Sequence, residues 1–300
     1  METIVMSAGK RFREALNAHR PLQIMGTINA YTALMATKIG HKAIYISGGA
    51  CANASYGLPD LGMTSMNDVL DDARRITSVV DTPLMIDIDT GWGGAFNIAR
   101  TIKESIRAGV AAVHIEDQVA QKRCGHRPNK EIVSLSEMVD RIKAAVDAKT
   151  DDDFFILART DSYAIEGLQA SIDRAGAYIE AGADGIFAEA MADLEQYSAY
   201  NKAIDSPLLA NMTEFGMTPL FDIQELAEHG VNMVLYPLTA TRAMNKAAEM
   251  VYRDVLEQGH QKNMVEHMQT RMELYDYLNY HEYEETLDKL FSQNKNSEQS

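Results

Sequence analysis

A repeated pattern, in which a glycine closes a helical segment and a short apolar run follows, constrains the fold of this chain most strongly. The pattern occurs four times, and its apolar runs are Ala43–Ser47, Ala112–Glu116, Gly185–Glu189 and Met233–Pro237. A glycine just past a helix adopts the left-handed conformation that ends the helix. A short apolar run after such a glycine is typical of a strand that is buried on both faces in a parallel sheet.

Four further apolar runs have the same character, and they are Leu22–Gly26, Leu84–Asp89, Phe154–Arg159 and Leu208–Asn211. Amphipathic helical patterns lie between the runs. The sequence therefore predicts eight βα units within about 240 residues, the number that closes a TIM-type barrel. We predict an α/β fold built as a (β/α)8 barrel, with a doubly wound parallel sheet as the alternative.

The 300 residues contain no linker rich in Ser, Gly or Pro, which favours a single barrel domain over residues 1–300. Residues 240–292 have an almost entirely helical pattern, whereas a barrel needs only one helix after its eighth strand. We therefore predict a helical C-terminal extension over 240–292 and a polar tail over 293–300. The extra helices would pack either across their own barrel or on a partner subunit.

The charge balance excludes several classes of partner. Lys and Arg number 28 against 43 Asp and Glu, which gives a net charge of −15. Such a surface repels phosphate backbones and anionic lipids, so we expect no nucleic-acid partner and no membrane partner. No apolar run approaches the ~20 residues that span a bilayer. The N-terminal residues lack a signal-peptide pattern, and Cys51 and Cys124 are too few for a disulfide framework, so we predict a cytoplasmic protein with reduced thiols.

Six of the predicted strands are followed by polar residues. In chain order these are Ser47, Gly48 and Gly49, then Asp87 and Asp89, then His114, Glu116 and Asp117, then Arg159, Thr160 and Asp161, then Glu189, and finally Asn211, Thr213 and Glu214. One polar residue at a strand end is usually a helix cap or a solvated turn. Because the carboxyl ends of all the strands meet at one rim of a barrel, six such groups predict an active site at that rim.

Three carboxylates at this rim suggest a metal ion. Asp87 and Asp89 alternate along one predicted strand and therefore project to the same side, and Glu116 ends the neighbouring strand. Three carboxylates in one small space repel each other unless a cation lies among them. Oxygen ligands without His or Cys favour Mg2+, with Mn2+ as an alternative, over Zn2+. The alternative interpretation of Asp89 is a helix or turn cap.

Residues 121–127 place four basic side chains within three positions of Cys124. Positive surroundings predict a lowered pKa for its thiol and an attraction for an anionic substrate. The long polar connection from Asp117 to Lys130 is predicted to be a lid over the barrel mouth. The alternative is a basic surface loop with an incidental cysteine. Cys51 lies among small residues and is predicted to be packed rather than reactive.

Residues 122–126 read Lys-Arg-Cys-Gly-His. This segment resembles the KRCGH motif of methylisocitrate lyases and is close to the KKCGH motif of isocitrate lyases. The segments that contain Ser47, Asp87, His114, Arg159 and Asn211 resemble the same family in the same order, and the resemblance extends from about Gly9 to Phe291. The chain is identified as a member of the phosphoenolpyruvate mutase and isocitrate lyase superfamily, most similar to its methylisocitrate lyases.

The resemblance implies a barrel whose last helix is exchanged between subunits, in a homo-oligomer that is usually a homotetramer. It implies Mg2+-dependent cleavage of a small tricarboxylate, 2-methylisocitrate, to pyruvate and succinate in the methylcitrate cycle of propionate catabolism. Alternative activities are those of isocitrate lyase, oxaloacetate hydrolase and phosphonopyruvate or phosphoenolpyruvate mutase. The chain lacks the large insertions of isocitrate lyases, and Cys124 argues against the mutases. A non-enzymatic scaffold should have lost Asp87, Cys124 or Arg159, and all three are present.

Residue roles also follow from the resemblance. Ser47, Gly48 and Gly49 would bind a substrate carboxylate, since glycines allow backbone N–H groups close to an anion. Asp87 would ligate Mg2+, with Asp89 and Glu116 nearby through water, and Arg159 would contact the pyruvate half. The remaining substrate-binding residues would be Cys124, Gly125, His126, Glu189, Asn211, Thr213, Arg242 and Arg271, with Lys122, Arg123 and His126 meeting the succinate half.

The implied cleavage needs a base for the substrate hydroxyl and an acid for the carbon that is released. Cys124 is the predicted acid. Tyr45, Glu189 and a metal-bound water remain open as the base.

Overall fold

The structure, a computed structural model, describes residues 6–297, with side chains as far as Phe291. Its centre is a closed barrel of eight parallel strands in sequential order. The strands are β1 (Leu22–Gly26), β2 (Ala43–Ile46), β3 (Leu84–Asp87), β4 (Ala112–Glu116), β5 (Phe155–Thr160), β6 (Gly185–Ala188), β7 (Leu208–Asn211) and β8 (Met233–Tyr236). The predicted barrel is confirmed, and the doubly wound alternative is wrong because β8 pairs with β1 and leaves no open edge.

One helix precedes the first strand, further helices lie between the strands along the chain, and the last helices follow the eighth strand. They are α1 (Ala8–Ala18), α2 (Ala30–Ile39), α3 (Gly48–Tyr56), α4 (Met66–Thr77), α5 (Ala95–Arg107), α6 (Leu135–Asp147), α7 (Tyr163–Glu166), α8 (Leu168–Glu180), α9 (Leu194–Ala203), α10 (Ile223–Glu228), α11 (Thr239–Gln258), a 3-10 helix (Lys262–His267), α12 (Arg271–Leu278) and α13 (Tyr280–Ser297). The four glycines of the repeated pattern all have positive φ, from +77° at Gly109 to +117° at Gly40. They therefore have the left-handed backbone conformation that the sequence predicts at the ends of these helices.

Side chains alternate between two apolar cores. Tyr45, Leu157 and Leu235 point into the barrel interior, whereas neighbouring residues such as Ile44 pack between the strands and the outer helices. Helix α1 closes the N-terminal end of the barrel, where the Phe12 and Phe155 rings lie 5.2 Å apart between centroids. The space inside the barrel therefore opens at the carboxyl ends of the strands.

The strand register determines which polar residues meet at that rim. Asp87, the last residue of β3, is paired with His114 of β4. Glu116, the last residue of β4, is paired with Arg159 of β5. Asp89 lies just beyond β3, with a positive φ of 48°. The carboxylates that were predicted from separate runs thus lie on adjacent strands or immediately after them.

The chain divides into two compact units, Met1–Arg242 and Ala243–Ser300. The first contains the barrel. The second contains the rest of α11, the 3-10 helix, α12 and α13, and many of its apolar side chains are exposed, Leu256 at 86% among them. The predicted polar tail is helical as far as Ser297, and residues 298–300 lie outside the described part. Helix exchange between subunits stays a prediction.

None of the helices within residues 6–297 is both long enough and apolar enough to cross a membrane.

Candidate active site

A cavity of about 340 Å³ opens at the carboxyl-terminal rim of the barrel. Twelve of the predicted site residues line it, and they are Tyr45, Ser47, Gly49, Asp87, Cys124, Gly125, His126, Arg159, Glu189, Asn211, Thr213 and Arg242. Gly48, Asp89 and Glu116 lie in the wall and contact residues that line the cavity. Arg271 begins α12 in the second unit, so its assignment stays a prediction.

Asp87 is held in place by backbone donors. The N–H of Gly48 donates to its Oδ2 at 3.2 Å and the N–H of Asp89 donates to its Oδ1 at 2.9 Å. A Cβ at position 48 would come 3.0 Å from Asp87 Oδ2, so a glycine allows this approach without displacing the carboxylate. Burial alone would raise the pKa of Asp87, but the neighbouring basic side chains, His114 first and then Lys122 and Arg159, outweigh burial and lower it. Asp87 is therefore an ionised carboxylate that faces the cavity.

Lys122 lies in the wall of the site. Its Nζ lies 2.5 Å from Asp60 Oδ1 and 2.8 Å from Asp89 Oδ1, and its side chain is 5% exposed. Burial would lower the pKa of Lys122, but Asp89 and other carboxylates outweigh burial and raise it well above its usual value. Burial and the charge of Asp87 raise the pKa of Asp89 to about 6. Lys122 is thus paired with two carboxylates of the protein itself. From the sequence, we expected its ammonium group to meet the succinate half of the substrate instead.

Arg159 joins three carboxylates at the rim. Its Nε lies 2.9 Å from Asp161 Oδ2 and 3.3 Å from Glu116 Oε2, and its Nη2 lies 3.0 Å from Glu189 Oε2. The guanidinium carbon lies 5.1 Å from the centre of the Phe187 ring, within range of a cation–π contact. These contacts fix the guanidinium on the cavity wall.

The three carboxylates predicted to bind a metal do not form a compact three-ligand cluster. Within residues 6–297, no group of three His, Cys, Asp or Glu side chains has the geometry to hold a metal ion. Asp89 contacts Lys122 and Glu116 contacts Arg159 instead. Burial raises the pKa of Glu116 well above its usual value, and its buried Oε1 has no hydrogen-bond partner among the described residues. This donor set suits an ion that uses one or two direct carboxylates and retains water, as Mg2+ does.

His126 connects the lid to two other elements of the rim. The N–H of Met217 donates to His126 Nδ1 at 2.9 Å, so the ring proton of the neutral side chain lies on Nε2. That Nε2 lies 2.9 Å from Glu189 Oε1. Burial would raise the pKa of Glu189, but Arg159 and His126 outweigh burial and hold it well below its usual value. Glu189 is therefore a weak proton acceptor.

Cys124 lines the cavity, but the predicted lowering of its thiol pKa is wrong. Burial raises the pKa of Cys124. The adjacent Lys122, counted from the sequence as a positive neighbour, is paired with Asp60 and Asp89. The thiol therefore remains protonated at neutral pH. Cys51 is packed, as expected, and burial together with Asp72 raises its pKa to about 12.

Sequence reasoning missed Asp60 and Asn53, which also line the cavity. Asp60 follows α3 in a connection that contains no strand, so it did not belong to any predicted strand end. The one available signal was its place in the βα connection after β2, since such connections build the active-site face of a barrel.

The sequence model of the phosphoenolpyruvate phosphomutase family matches residues 12–256. The 2-methylisocitrate lyase of Shewanella oneidensis is 64% identical over 292 residues, which are 97% of this chain and 100% of the relative. A solved 2,3-dimethylmalate lyase, described as a member of the PEP mutase/isocitrate lyase superfamily, superposes with a TM-score of 0.87 at 33% identity and covers 94% of this chain and 95% of its own. A phosphonopyruvate hydrolase solved with oxalate and Mg2+ has a TM-score of 0.82 at 28% identity and covers 93% and 97%. The chain therefore belongs to the phosphoenolpyruvate phosphomutase family and, within it, to the 2-methylisocitrate lyases.

Proposed function

We propose that the chain cleaves the carbon–carbon bond of 2-methylisocitrate and releases pyruvate and succinate. The observation that supports this activity most directly is the Lys-Arg-Cys-Gly-His segment, residues 122–126, every member of which lines the rim cavity. The cavity also contains a fixed guanidinium, that of Arg159, and an ionised carboxylate, that of Asp87. A substrate with three carboxylates and a hydroxyl group matches such a mixture of cationic groups, hydrogen-bond donors and hard oxygen atoms.

Asp87 would hold Mg2+ directly, and Asp89 and Glu116 would approach it through water. The unpaired, buried Oε1 of Glu116 supports a cation nearby, because a carboxylate oxygen in such a place needs a partner. The phosphonopyruvate hydrolase solved with oxalate and Mg2+ supports the same choice of ion. When bound, Mg2+ would polarise the substrate oxygen and orient the substrate carboxylate beside it.

The pyruvate half would lie against Arg159, with Ser47 and Gly49 on the neighbouring wall. The amide of Gly48 already donates to Asp87, so its contribution would be to fix the metal ligand. The succinate half would extend toward Asn211, Thr213 and Arg242, which line the other part of the cavity. Oxalate, which resembles the planar enolate of pyruvate, would occupy the pyruvate half alone.

Tyr45 is the proposed base. Its hydroxyl lies 2.8 Å from His114 Nε2, and burial lowers the pKa of His114 to about 4, so the free ring is neutral. Burial raises the pKa of Tyr45 well above its usual value, so the phenol is also neutral. Tyr45 would accept the substrate hydroxyl proton while its own proton passes to His114, whose protonated ring the Asp87 carboxylate would stabilise, since His114 Nδ1 lies 3.7 Å from Asp87 Oδ1.

Cys124 would complete the reaction as the acid. When the carbon–carbon bond breaks, its electron pair moves onto the succinate carbon beside a carboxylate. A protonated thiol at the cavity wall can donate to that carbon, and the raised pKa keeps the proton available at neutral pH. When the products leave, the proton held at His114 is released and the thiolate is protonated again, which restores the starting state.

The decisive experiment compares pyruvate release from 2-methylisocitrate with glyoxylate release from isocitrate, each with and without Mg2+. We expect rapid, Mg2+-dependent release of pyruvate and slow release of glyoxylate. Comparable rates on both substrates would favour isocitrate lyase activity, and no release from either would contradict the proposal.

We also propose a cytoplasmic homotetramer that acts in the methylcitrate cycle of propionate catabolism. The exposed apolar side chains of the second unit support subunit association, because an isolated chain would leave Leu256, Val265 and Met272 in water. Light scattering on the purified full-length protein would test the tetramer, and a monomer at micromolar concentration would contradict it.

A further inference from the structure

Lys130 is buried behind the cavity and does not face it. Its Nζ lies 2.7 Å from Asp161 Oδ1, and the two side chains are 3% and 0% exposed. Neither residue is among the described residues that line the cavity. A buried ammonium group is costly unless it is well paired, so the position of this group calls for a reason other than contact with substrate.

Asp161 is shared between Lys130 and Arg159. Its Oδ2 accepts from Arg159 Nε at 2.9 Å, and its Oδ1 accepts from both Lys130 Nζ and Arg159 Nη2, the latter at 3.3 Å. The N–H of Asp161 donates to Asp117 Oδ1 at 2.9 Å, which fixes the backbone of this residue at the end of β5. The carboxylate therefore orients Arg159 from one side while Lys130 holds it from the other.

Lys130 lies where the lid returns to the barrel. Close to it, the N–H of Val119 donates to Glu131 O at 3.0 Å and the N–H of Val133 donates to Asp117 O at 2.8 Å. These bonds form a short antiparallel ladder that joins the start and the end of the lid. The position of the Lys130 ammonium group therefore depends on the register of this ladder.

We propose that Lys130 is a positioning residue that holds the Asp161 carboxylate and so couples the orientation of Arg159 to the return segment of the lid. The inference rests on the proposed function, in which Arg159 contacts the pyruvate half. Lys130 neutralises part of the charge of Asp161 and occupies one side of Oδ1. Without Lys130, the Asp161 carboxylate would turn toward Arg159 and draw the guanidinium away from the cavity.

The test uses the full-length protein with Mg2+ and compares wild type with Lys130→Met, which keeps an unbranched side chain of similar shape and removes the terminal ammonium group. We expect the affinity for oxalate, measured by calorimetry, to fall about 10- to 100-fold, the loss typical when a group that orients a binding side chain is removed. We expect kcat/KM for 2-methylisocitrate to fall about 100-fold, since a misplacement of 1 Å can have that effect. Lys130→Arg should restore most of the oxalate affinity.

A double-mutant cycle separates positioning from stability. If Lys130 acts through Asp161, the losses of oxalate affinity in Lys130→Met and Asp161→Asn will not add in the double variant. The control is Arg13→Met, which breaks an ion pair of 2.6 Å with Asp184 at the opposite end of the barrel. We expect this control to lower the unfolding temperature and leave oxalate affinity unchanged.

The proposal is overturned if Lys130→Met lowers only the unfolding temperature and binds oxalate as wild type does. Crystal structures of wild type and Lys130→Met provide a test that needs no activity, because unchanged Arg159–Asp161 contacts in the variant would also overturn it. If Lys130→Met does not fold, Lys130→Gln replaces it in every measurement. Wild-type protein that binds oxalate but releases no pyruvate would contradict the proposed function and leave the oxalate test of Lys130 intact.

Discussion

The side-chain amide of Gln118 pairs with both backbone groups of Arg123. Its Nε2 donates to Arg123 O at 2.9 Å, and the N–H of Arg123 donates to its Oε1 at 3.1 Å. Gln118 is fully buried and Arg123 is exposed, so the pairing joins the exposed lid to the protein interior. The Gln118 side chain thus makes the two backbone hydrogen bonds that a neighbouring strand would otherwise make with this part of the lid. Because Arg123 precedes Cys124, these bonds also hold Cys124 beside the cavity.

Removal of this amide should loosen the lid. We expect Gln118→Ala to increase the rate at which trypsin cleaves after Lys122 or Arg123, because each backbone bond lost exposes the segment to local opening. Limited proteolysis followed by mass spectrometry measures the rate. Mg2+ with oxalate should slow cleavage in both proteins, and Gln224→Ala, at an exposed position, should behave as wild type. Equal cleavage with and without oxalate would argue against lid closure over a ligand.

Replacement of the proposed base should affect turnover more than binding. We expect Tyr45→Phe to lower kcat by about 10²- to 10⁴-fold, the range for a lost general acid–base group, with a small change in KM. The hydroxyl that contacts His114 is lost while the buried ring remains. Steady-state pyruvate release measures both constants, and Tyr252→Phe, at an exposed position, is the control. A near-normal kcat in Tyr45→Phe would transfer the role of base to another group.

The acid role of Cys124 makes a prediction about pH. A general acid works only below its pKa, and burial raises the pKa of this thiol. We therefore expect kcat to persist above about pH 8.5, where a free thiol ionises, and to fall only at higher pH. Cys124→Ala should bind oxalate normally but lose about 10²- to 10⁴-fold in kcat. Cys51→Ala is the control, and a small effect of Cys124→Ala would make the thiol a bystander in the lid.

Local patterns were sufficient to predict the barrel. Each predicted strand appears within two residues of its expected bounds. The reason is that a helix-ending glycine and the apolar run after it are local features, which consecutive residues in the sequence are sufficient to identify. The polar rim followed from the same pattern, since Asp87 and Glu116 end their strands and Arg159 is the penultimate residue of its strand. Pairing of consecutive strands then brought these residues to one end of the barrel.

Contacts between distant residues could not be predicted in this way. Lys122 binds Asp60, which lies 62 positions earlier, and Lys130 binds Asp161, which lies 31 positions later. Nothing in the local sequence indicates which of several nearby carboxylates a lysine will meet. The same limit explains the wrong direction for the pKa of Cys124, because burial and the pairing of its basic neighbours are properties of the folded chain.

Chelation should abolish turnover. We expect a chelator to remove activity and added Mg2+ to restore it, because the proposed ion polarises the oxygen at which charge develops. Asp87→Asn keeps the shape of the side chain and removes its charge, so ordinary Mg2+ concentrations should not rescue it. Calorimetry with Mg2+ and oxalate checks binding separately from activity. Asp173→Asn, on an exposed helix face, is the control, and full activity in excess chelator would contradict the metal assignment.

Discrimination of the substrate methyl group should depend on Leu235 and Phe187. Both line the cavity and are 1% exposed, and Pro237 extends the same apolar wall at the end of β8. Leu235 is paired with Asn211 across the strand register, so it lies close to the polar residues of the site. One methyl group in such a pocket is worth about 1–3 kcal/mol, or about 10- to 200-fold in kcat/KM. Isocitrate should therefore be a poor substrate that is still cleaved.

A bulkier residue in this wall should act selectively. We expect Leu235→Phe to lower kcat/KM more for 2-methylisocitrate than for isocitrate, because the added ring atoms occupy the space of the methyl group and isocitrate lacks that group. The measurement is the ratio of the two kcat/KM values in wild type and variant, with Leu220→Phe, at an exposed position, as the control. An unchanged ratio would mean that the ring disturbs the cavity as a whole, and the methyl group would then be recognised by another part of the wall.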